Sequence, residues 1–225
     1  MLKIGLAGGS GSGKGTISSL LSQSGIPSFD CDAVYHDLIS RDGPLTREIV
    51  KAFGEGVRSK DGGIDRPALA AVVFHDPKKL EMLNQISHKK ILSVLREWSE
   101  RAEKQGIKAI LIDAPLLFES GFDRECDLTV AVTAPLDTRI DRIVSRDGIT
   151  ADKARERIAT QLSDEELSRR ADIVVINNED MAHLEKEVVR ILSIINERRE
   201  KNEPKRKDQG TDPLGNAALE KGKRI

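Results

Sequence analysis

The chain has 225 residues, room for one large domain with small insertions, and its 36 Lys and Arg against 37 Asp and Glu leave a net charge of −1, which argues against a chain-wide nucleic-acid footprint. Aromatics make up only 3 %, too few for a base-stacking surface, and two cysteines, Cys31 and Cys126, cannot alone make a disulfide framework or a zinc site. The best apolar stretch, Ala109 to Phe118, is interrupted by Asp113 and Pro115, and Met1-Leu2-Lys3 runs into glycines without a signal-peptide pattern, so no membrane partner and a cytoplasmic location are expected.

In chain order, Leu2–Ala7 predicts a strand running into a glycine cluster, and Lys14–Ser24 a helix with Ile17, Leu20 and Leu21 on one face. A weaker strand, Ile26–Phe29, ends at Asp30. Pro77–Lys104 holds a long helical stretch, with Leu92, Leu95, Trp98 and Ala102 at spacings of three and four. Ile107–Ile112 and Leu128–Thr133 read as strands. Leu136–Arg146 and Ala151–Leu162 read as charged helices joined by the Asp147-Gly148 turn signal. Ile173–Ile176 is a further strand, and Met181, Leu184, Val188, Ile191, Leu192 and Ile195 make an amphipathic helical face. The strand runs are nearly continuous in apolar residues, which suits parallel strands covered on both faces; alternating strands and helices give a doubly wound α/β sheet. From about Arg198 large apolar side chains thin out. A solvated, flexible tail over 198–225 is expected, although its Lys and Arg excess also suits contact with an acidic surface.

Gly8-Gly9-Ser10-Gly11-Ser12-Gly13-Lys14 fits G-x-x-x-x-G-K, with a strand before it and a helix after it. A flexible Gly/Ser linker has neither flank. The glycines let backbone N–H groups converge on one anion, the following helix adds its positive end, and Lys14 supplies a mobile charge for the β- and γ-phosphates. The residue after the lysine, ordinarily Ser or Thr, is Gly15, with Thr16 next. A magnesium ion is therefore expected to rest on Thr16 or water, the phosphates and a carboxylate.

Asp30 and Asp32 close the second strand, where a doubly wound sheet opens its ligand crevice. A carboxylate there accepts a proton from an attacking hydroxyl or holds Mg²⁺ through water; alternatively Asp32 caps a helix opening at Ala33. Asp113 ends the strand Ile110-Leu111-Ile112 and resembles a Walker B carboxylate, with a plain strand-end turn as the alternative. Arg139, Arg142 and Arg146 step by three and four on one helix face. They either reach phosphoryl oxygens or form a solvated face paired with Asp137, Asp141 and Asp147.

Several segments together resemble the dephospho-coenzyme A kinase family along nearly all of 4–195. The carriers are the loop from Gly8 to Thr16, Asp30-Cys31-Asp32, Arg66-Pro67-Ala68-Leu69 leading to Val73-Phe74-His75-Asp76-Pro77, and Pro115-Leu116-Leu117-Phe118-Glu119. Downstream come Arg142 with Arg146-Asp147-Gly148, then Arg157, Gln161, Ala171-Asp172 and Asn177. The loop alone is unspecific, but these segments in this order are highly specific. The resemblance implies ATP-dependent phosphorylation of the ribose 3′-hydroxyl of dephospho-CoA on a five-stranded parallel sheet with helices on both faces. It implies a nucleotide-binding core over 1–63, 106–134 and 171–197, a helical substrate region over 64–105 and a lid over 135–170. It implies Asp32 as the base, with Lys14, Arg142 and Arg146 as further catalytic residues. Gly11, Ser12, Gly13, Lys14, Gly15, Thr16 and Asn177 are implied to bind ATP, and Asp32, His88, Leu116 and Glu119 the acceptor. Mg²⁺ is implied at Thr16 and Asp113. At three positions the chain departs from the family: Gly15 follows Lys14 where Ser is usual, Lys89 follows His88 where Pro is usual, and Ile176 precedes Asn177 where Asp is common.

Two rivals share parts of the pattern. The loop also resembles that of uridine kinase, and its Gly15-Thr16 that of adenylate kinase; neither accounts for Pro115 to Glu119 with the downstream Arg146-Asp147-Gly148. A GTPase-type switch calls for N-K-x-D, and Asn177-Asn178-Glu179-Asp180 lacks the lysine.

Overall fold

A computed structural model describes residues 1–178 and 180–202. Five parallel strands form one sheet: β1 (Leu2–Ala7), β2 (Ser28–Asp30), β3 (Ala109–Asp113), β4 (Leu128–Thr133) and β5 (Ile173–Ile176), in the order β2-β3-β1-β4-β5. β1 is central. Leu2 lies opposite Ala109 on one side and Ile4 opposite Leu128 on the other, and the chain fills the β2–β3 side of β1 before crossing to β4 and β5. The crevice of such a sheet opens where the order reverses, at the carboxyl end of β1.

Side chains alternate across each strand, so neighbouring residues feed opposite layers. Leu6, Leu111 and Val130 pack with Ile17 and Leu21 of α1 (Lys14–Gln23) and with Leu184, Val188, Ile191 and Ile195 of α9 (Met181–Asn202). Ala7, Ile112 and Ala131 pack on the other side with Ile91 and Leu95 of the long helix α5 (Pro77–Lys104), and with Leu117, Phe118 and Phe122. Burial on both faces explains the near-continuous apolar strand runs.

A third apolar cluster joins α2 (Cys31–Ile39), α3 (Pro44–Phe53), α4 (Arg66–Val73) and α5 through Ile39, Leu45, Ile49, Leu69, Val73 and Leu83. α6 (Leu136–Asp147) and α7 (Ala151–Ala159) pack through Ile140, Ile143 and Ala154, and α8 (Asp164–Arg170) follows.

Differences from the sequence reading have local causes. β3 starts at Ala109, not Ile107, because Gly106 at φ +79° turns the chain and Ile107 N–H still closes α5 on the Ala102 carbonyl. The stretch 151–162 does not run as one helix: it breaks after Ala159, and Ser163 caps α8 by accepting from Glu166 N–H at 3.2 Å. β2 runs through Asp30, whose carboxylate accepts from Ala33 N–H at 2.9 Å and caps α2. Asp30 is therefore the cap considered for Asp32, and Asp32 stands in the first turn of the helix instead of on the strand. α9 passes Arg198 to Asn202; the rest of the expected tail, 203–225, lies outside the described residues.

Candidate active site

The loop leaving β1 turns through Gly11 at φ +78° and Gly13 at φ +89°, left-handed values that a side chain resists, and delivers Lys14 to the start of α1. A cavity of about 550 Å³ lies over it, lined by the loop glycines, Lys14, Thr16, Pro115, Arg142 and Arg146. Lys14 Nζ pairs with the Asp113 carboxylate at the end of β3, their side chains only 16 % and 10 % exposed. Around Gly15 there is open space.

Three of the loop carbonyls are held by side chains. Ser10 carbonyl accepts from Arg139 Nε at 2.9 Å, Gly11 carbonyl from Arg142 Nη1 at 3.2 Å, and Ser12 carbonyl from Asn177 Nδ2 at 2.8 Å. A trans peptide points its C=O and N–H in opposite directions, so carbonyls turned outward turn the next N–H groups inward. Ser12 N–H bonds Gly9 carbonyl at 3.1 Å; among the described residues Gly11 and Gly13 N–H have no acceptor, and both residues line the cavity. That is a ready anion cradle.

Asn177 is buried beneath the loop, its own N–H on the Thr133 carbonyl at 2.7 Å, and it does not line the cavity. The three arginines separate. Arg142 and Arg146 line the cavity, while Arg139 is buried against the loop and pairs with Asp164 at 2.8 Å. Arg146 is exposed and held by Asp147 at 2.7 Å, a carboxylate that also takes Arg157 and is thereby kept below the usual carboxyl range.

A second cavity, of about 500 Å³, adjoins the first and shares Pro115 with it. Asp32, Tyr35, His88 and Leu116 line it, with Asn84, Ser87, Ser120 and Gln161 as further polar groups. Asp32 opens into this space, yet the surrounding walls push its carboxyl above the ordinary range, and the charge of Lys14 pulls it partly back. Burial pushes His88 below its ordinary value, and its ring meets Phe122 edge-on at 5.5 Å. Burial, with Asp113 nearby, pushes the Cys31 thiol up to about 12, so it stays protonated and is no nucleophile.

The structure thus brings Lys14, Thr16, Arg142 and Arg146 to one cavity and Asp32, His88 and Leu116 to the other. Glu119 lines neither, and Asp113 meets the site through Lys14. Asn84 and Ser87 escaped the sequence reading. With His88 and Ile91 they recur at helical spacing on one face of α5, a signal that a polar stripe on that helix could have given. Gln161 also holds the loop, accepting from Ser10 N–H at 2.8 Å.

Comparison with known proteins agrees with this geometry. The family model for dephospho-CoA kinase matches residues 2–183. The dephospho-CoA kinase of Corynebacterium efficiens is 40 % identical over 195 residues, 87 % of this chain and 98 % of that protein; that of Fusobacterium nucleatum is 40 % identical over 192, covering 85 % and 97 %. Among solved structures, TT1252 from Thermus thermophilus superposes with a TM-score of 0.75 at 32 % identity, covering 86 % of this chain and 97 % of that one. The dephospho-CoA kinase from Campylobacter jejuni gives 0.63 at 25 %, covering 87 % and 97 %. A glycine-rich loop under one cavity with a second cavity adjoining it, on a chain matched over nearly its whole described length, makes this protein a member of the dephospho-CoA kinase family.

Proposed function

We propose that the chain transfers the γ-phosphoryl group of ATP to the ribose 3′-hydroxyl of dephospho-CoA, giving CoA and ADP. The observation that carries this reading is the meeting of two cavities at Pro115, with Lys14 in the phosphate cavity and Asp32 in the other. Asp32 accepts the hydroxyl proton as the bond from ribose oxygen to phosphorus forms and the bond to the β-γ bridging oxygen breaks. Lys14, Arg142 and Arg146 face the oxygens on which charge accumulates, and the inward N–H groups of Gly11 and Gly13 hold the phosphates. Loading the cavity with nucleotide draws Lys14 from Asp113 toward the phosphates and frees that carboxylate.

Among the described residues no three His, Cys, Asp or Glu gather to hold a metal. The donors present, the Thr16 hydroxyl in the phosphate cavity and the Asp113 carboxylate behind Lys14, fit a magnesium ion held mostly by phosphates and water. Bound there, such an ion neutralises phosphate charge. Within this reading 64–105 serves the acceptor, 135–170 is the lid, and 1–63, 106–134 and 171–197 form the nucleotide core. Both cysteines are free, which favours a reducing, cytoplasmic setting.

The test is mass-spectrometric detection of CoA after mixing the protein with ATP, Mg²⁺ and dephospho-CoA. CoA formed in step with ADP is expected; ADP formed only with a different acceptor would replace the substrate assignment. ATP and GTP compared in a thermal shift set the donor, with the larger stabilisation expected from ATP.

A further inference from the structure

Arg139 is one of very few charged side chains in the interior, at 3 % exposure, and the reaction as derived above does not use it. It lies outside both cavities. Its guanidinium is divided among three directions. Nε donates to Ser10 carbonyl at 2.9 Å and Nη1 to Asp164 at 2.8 Å, while Nη2 is buried with no partner among the described residues. A Cβ built on Gly9 would meet the guanidinium, with Cζ 3.1 Å away, and one built on Gly11 would meet the Arg139 backbone at 2.8 Å from its Cα. Two of the loop glycines therefore make room for Arg139 as well as for an anion. Burying a guanidinium with a nitrogen unpaired is costly, so a packing role alone, which an apolar residue would fill better, explains it poorly.

What the contact does follows from the peptide plane. The Ser10–Gly11 peptide can turn either way about its glycine, whose φ is free. Held by Arg139, the Ser10 carbonyl faces away from the cavity and the Gly11 N–H faces into it; flipped, the carbonyl oxygen would point at the phosphates. Gln161 holds the same residue from its other peptide, accepting from Ser10 N–H at 2.8 Å. Arg139 itself lies in 135–170, the segment expected to act as lid, and Asp164, 25 residues on, opens α8 of the same segment, so the grip ties the loop to α6 and α8 together. We propose that Arg139 is a positioning residue for phosphate binding: it fixes the Ser10–Gly11 peptide in its anion-binding orientation and, through Asp164, makes that orientation depend on the docking of α8. This rests on the loop being the nucleotide phosphate site.

The test needs no acceptor substrate. ADP affinity by calorimetry and melting temperature are measured for the wild type, Arg139→Met and Arg139→Lys. Lysine restores the charge opposite Asp164, but a single ammonium lacks the fork that reaches Asp164 and Ser10 at once. Arg139→Met should bind ADP about tenfold more weakly, the size of a lost charge-assisted hydrogen bond. Arg139→Lys should recover the melting temperature and still bind at least about fivefold more weakly. If Arg139→Met does not fold, Arg139→Lys decides alone. Binding within twofold of wild type in the folded variants, or recovery of affinity and melting temperature together in Arg139→Lys, overturns the proposal. Failure of the wild type to bind ADP overturns the phosphate-site reading on which it rests.

Discussion

Lys14 and Asp113 form an ion pair at the heart of the site, joining the start of α1 to the end of β3 with both side chains mostly shielded from water. In the proposed reaction the lysine has two alternative partners, the carboxylate in the free protein and the phosphates once nucleotide binds. Truncating it has two separable consequences. Lys14→Ala should lower kcat about 10²–10³-fold, as removal of one preorganised charge donor does. It should also destabilise the free protein by about 1–3 kcal/mol, because Asp113 is left buried without a partner. Lys14→Ala combined with Asp113→Asn should regain most of the melting temperature and none of the turnover. Stability and turnover recovering together would contradict the assignment.

Asp30 and Asp32 are two residues apart, and the proposed reaction gives them different roles. Asp32→Asn should lose about 10²–10⁴-fold in single-turnover transfer, the usual size of general-base assistance, with ADP affinity within about twofold. Asp30→Ala removes the cap on Ala33 N–H and should cost about 1 kcal/mol of stability with turnover nearly intact. A crippled Asp30→Ala beside an active Asp32→Asn would reverse the two roles.

The raised Asp32 carboxyl has opposite effects on stability and on rate. In the window between the ordinary carboxyl value and the raised one, the folded protein binds more protons than the unfolded chain. Stability therefore falls as pH rises through that window and is flat above it. Asp32→Asn should gain melting temperature relative to wild type as pH rises across the same range. Turnover runs the other way, because only the deprotonated carboxylate accepts the hydroxyl proton. The acidic limb of kcat/KM, which reports the free enzyme, should lie above the ordinary carboxyl range and vanish in Asp32→Asn; a limb that survives the substitution belongs to another group.

Arg142 and Arg146 should differ although they share a helix face. Arg146 is exposed and bonded to its neighbour Asp147, so Arg146→Ala should reduce kcat with little change in melting temperature. Arg142 reaches Gly11 carbonyl at 3.2 Å and Asn177 Oδ1 at 3.3 Å. Arg142→Ala should therefore weaken ADP binding and lower the melting temperature together. Full turnover in both variants would make the row a solvated face.

The parts of the fold legible in the sequence were those whose signal is local. β1, β4 and β5 match their apolar runs from end to end, and α5 runs from Pro77 to Lys104 as its spacing predicts. α3 is not among the helices the spacing predicts, and α4 falls only within the helical region that the resemblance implies over 64–105. Each is short, has a proline in its first two positions and buries its apolar residues against other helices, so Leu45, Ile49 and Leu69 acquire meaning only in the third cluster. The same divide runs through the site. Lys14 and Asp32 follow from a loop motif and a strand end. Whether Arg139 meets solvent or the loop depends on Asp164, brought back by two intervening turns, and no spacing rule encodes that return.

The central strand is the first in sequence, and it waits longest for its neighbours. Leu2 pairs with Ala109, 107 residues later, and β4 comes later still. At roughly 5–20 residues per second of synthesis, the Leu2–Ala7 segment spends on the order of 5–20 seconds with both hydrogen-bonding edges bare. α1, which follows it directly, is made early enough to cover one face, whereas α5, which packs against the other, is complete only just before β3. Such non-local pairing folds slowly and leaves an apolar strand open to intermolecular pairing. The glycine loop is thus made well before the strands that fix its base, and the yield of folded protein during expression should depend on how well β1 is shielded while the rest of the chain is made.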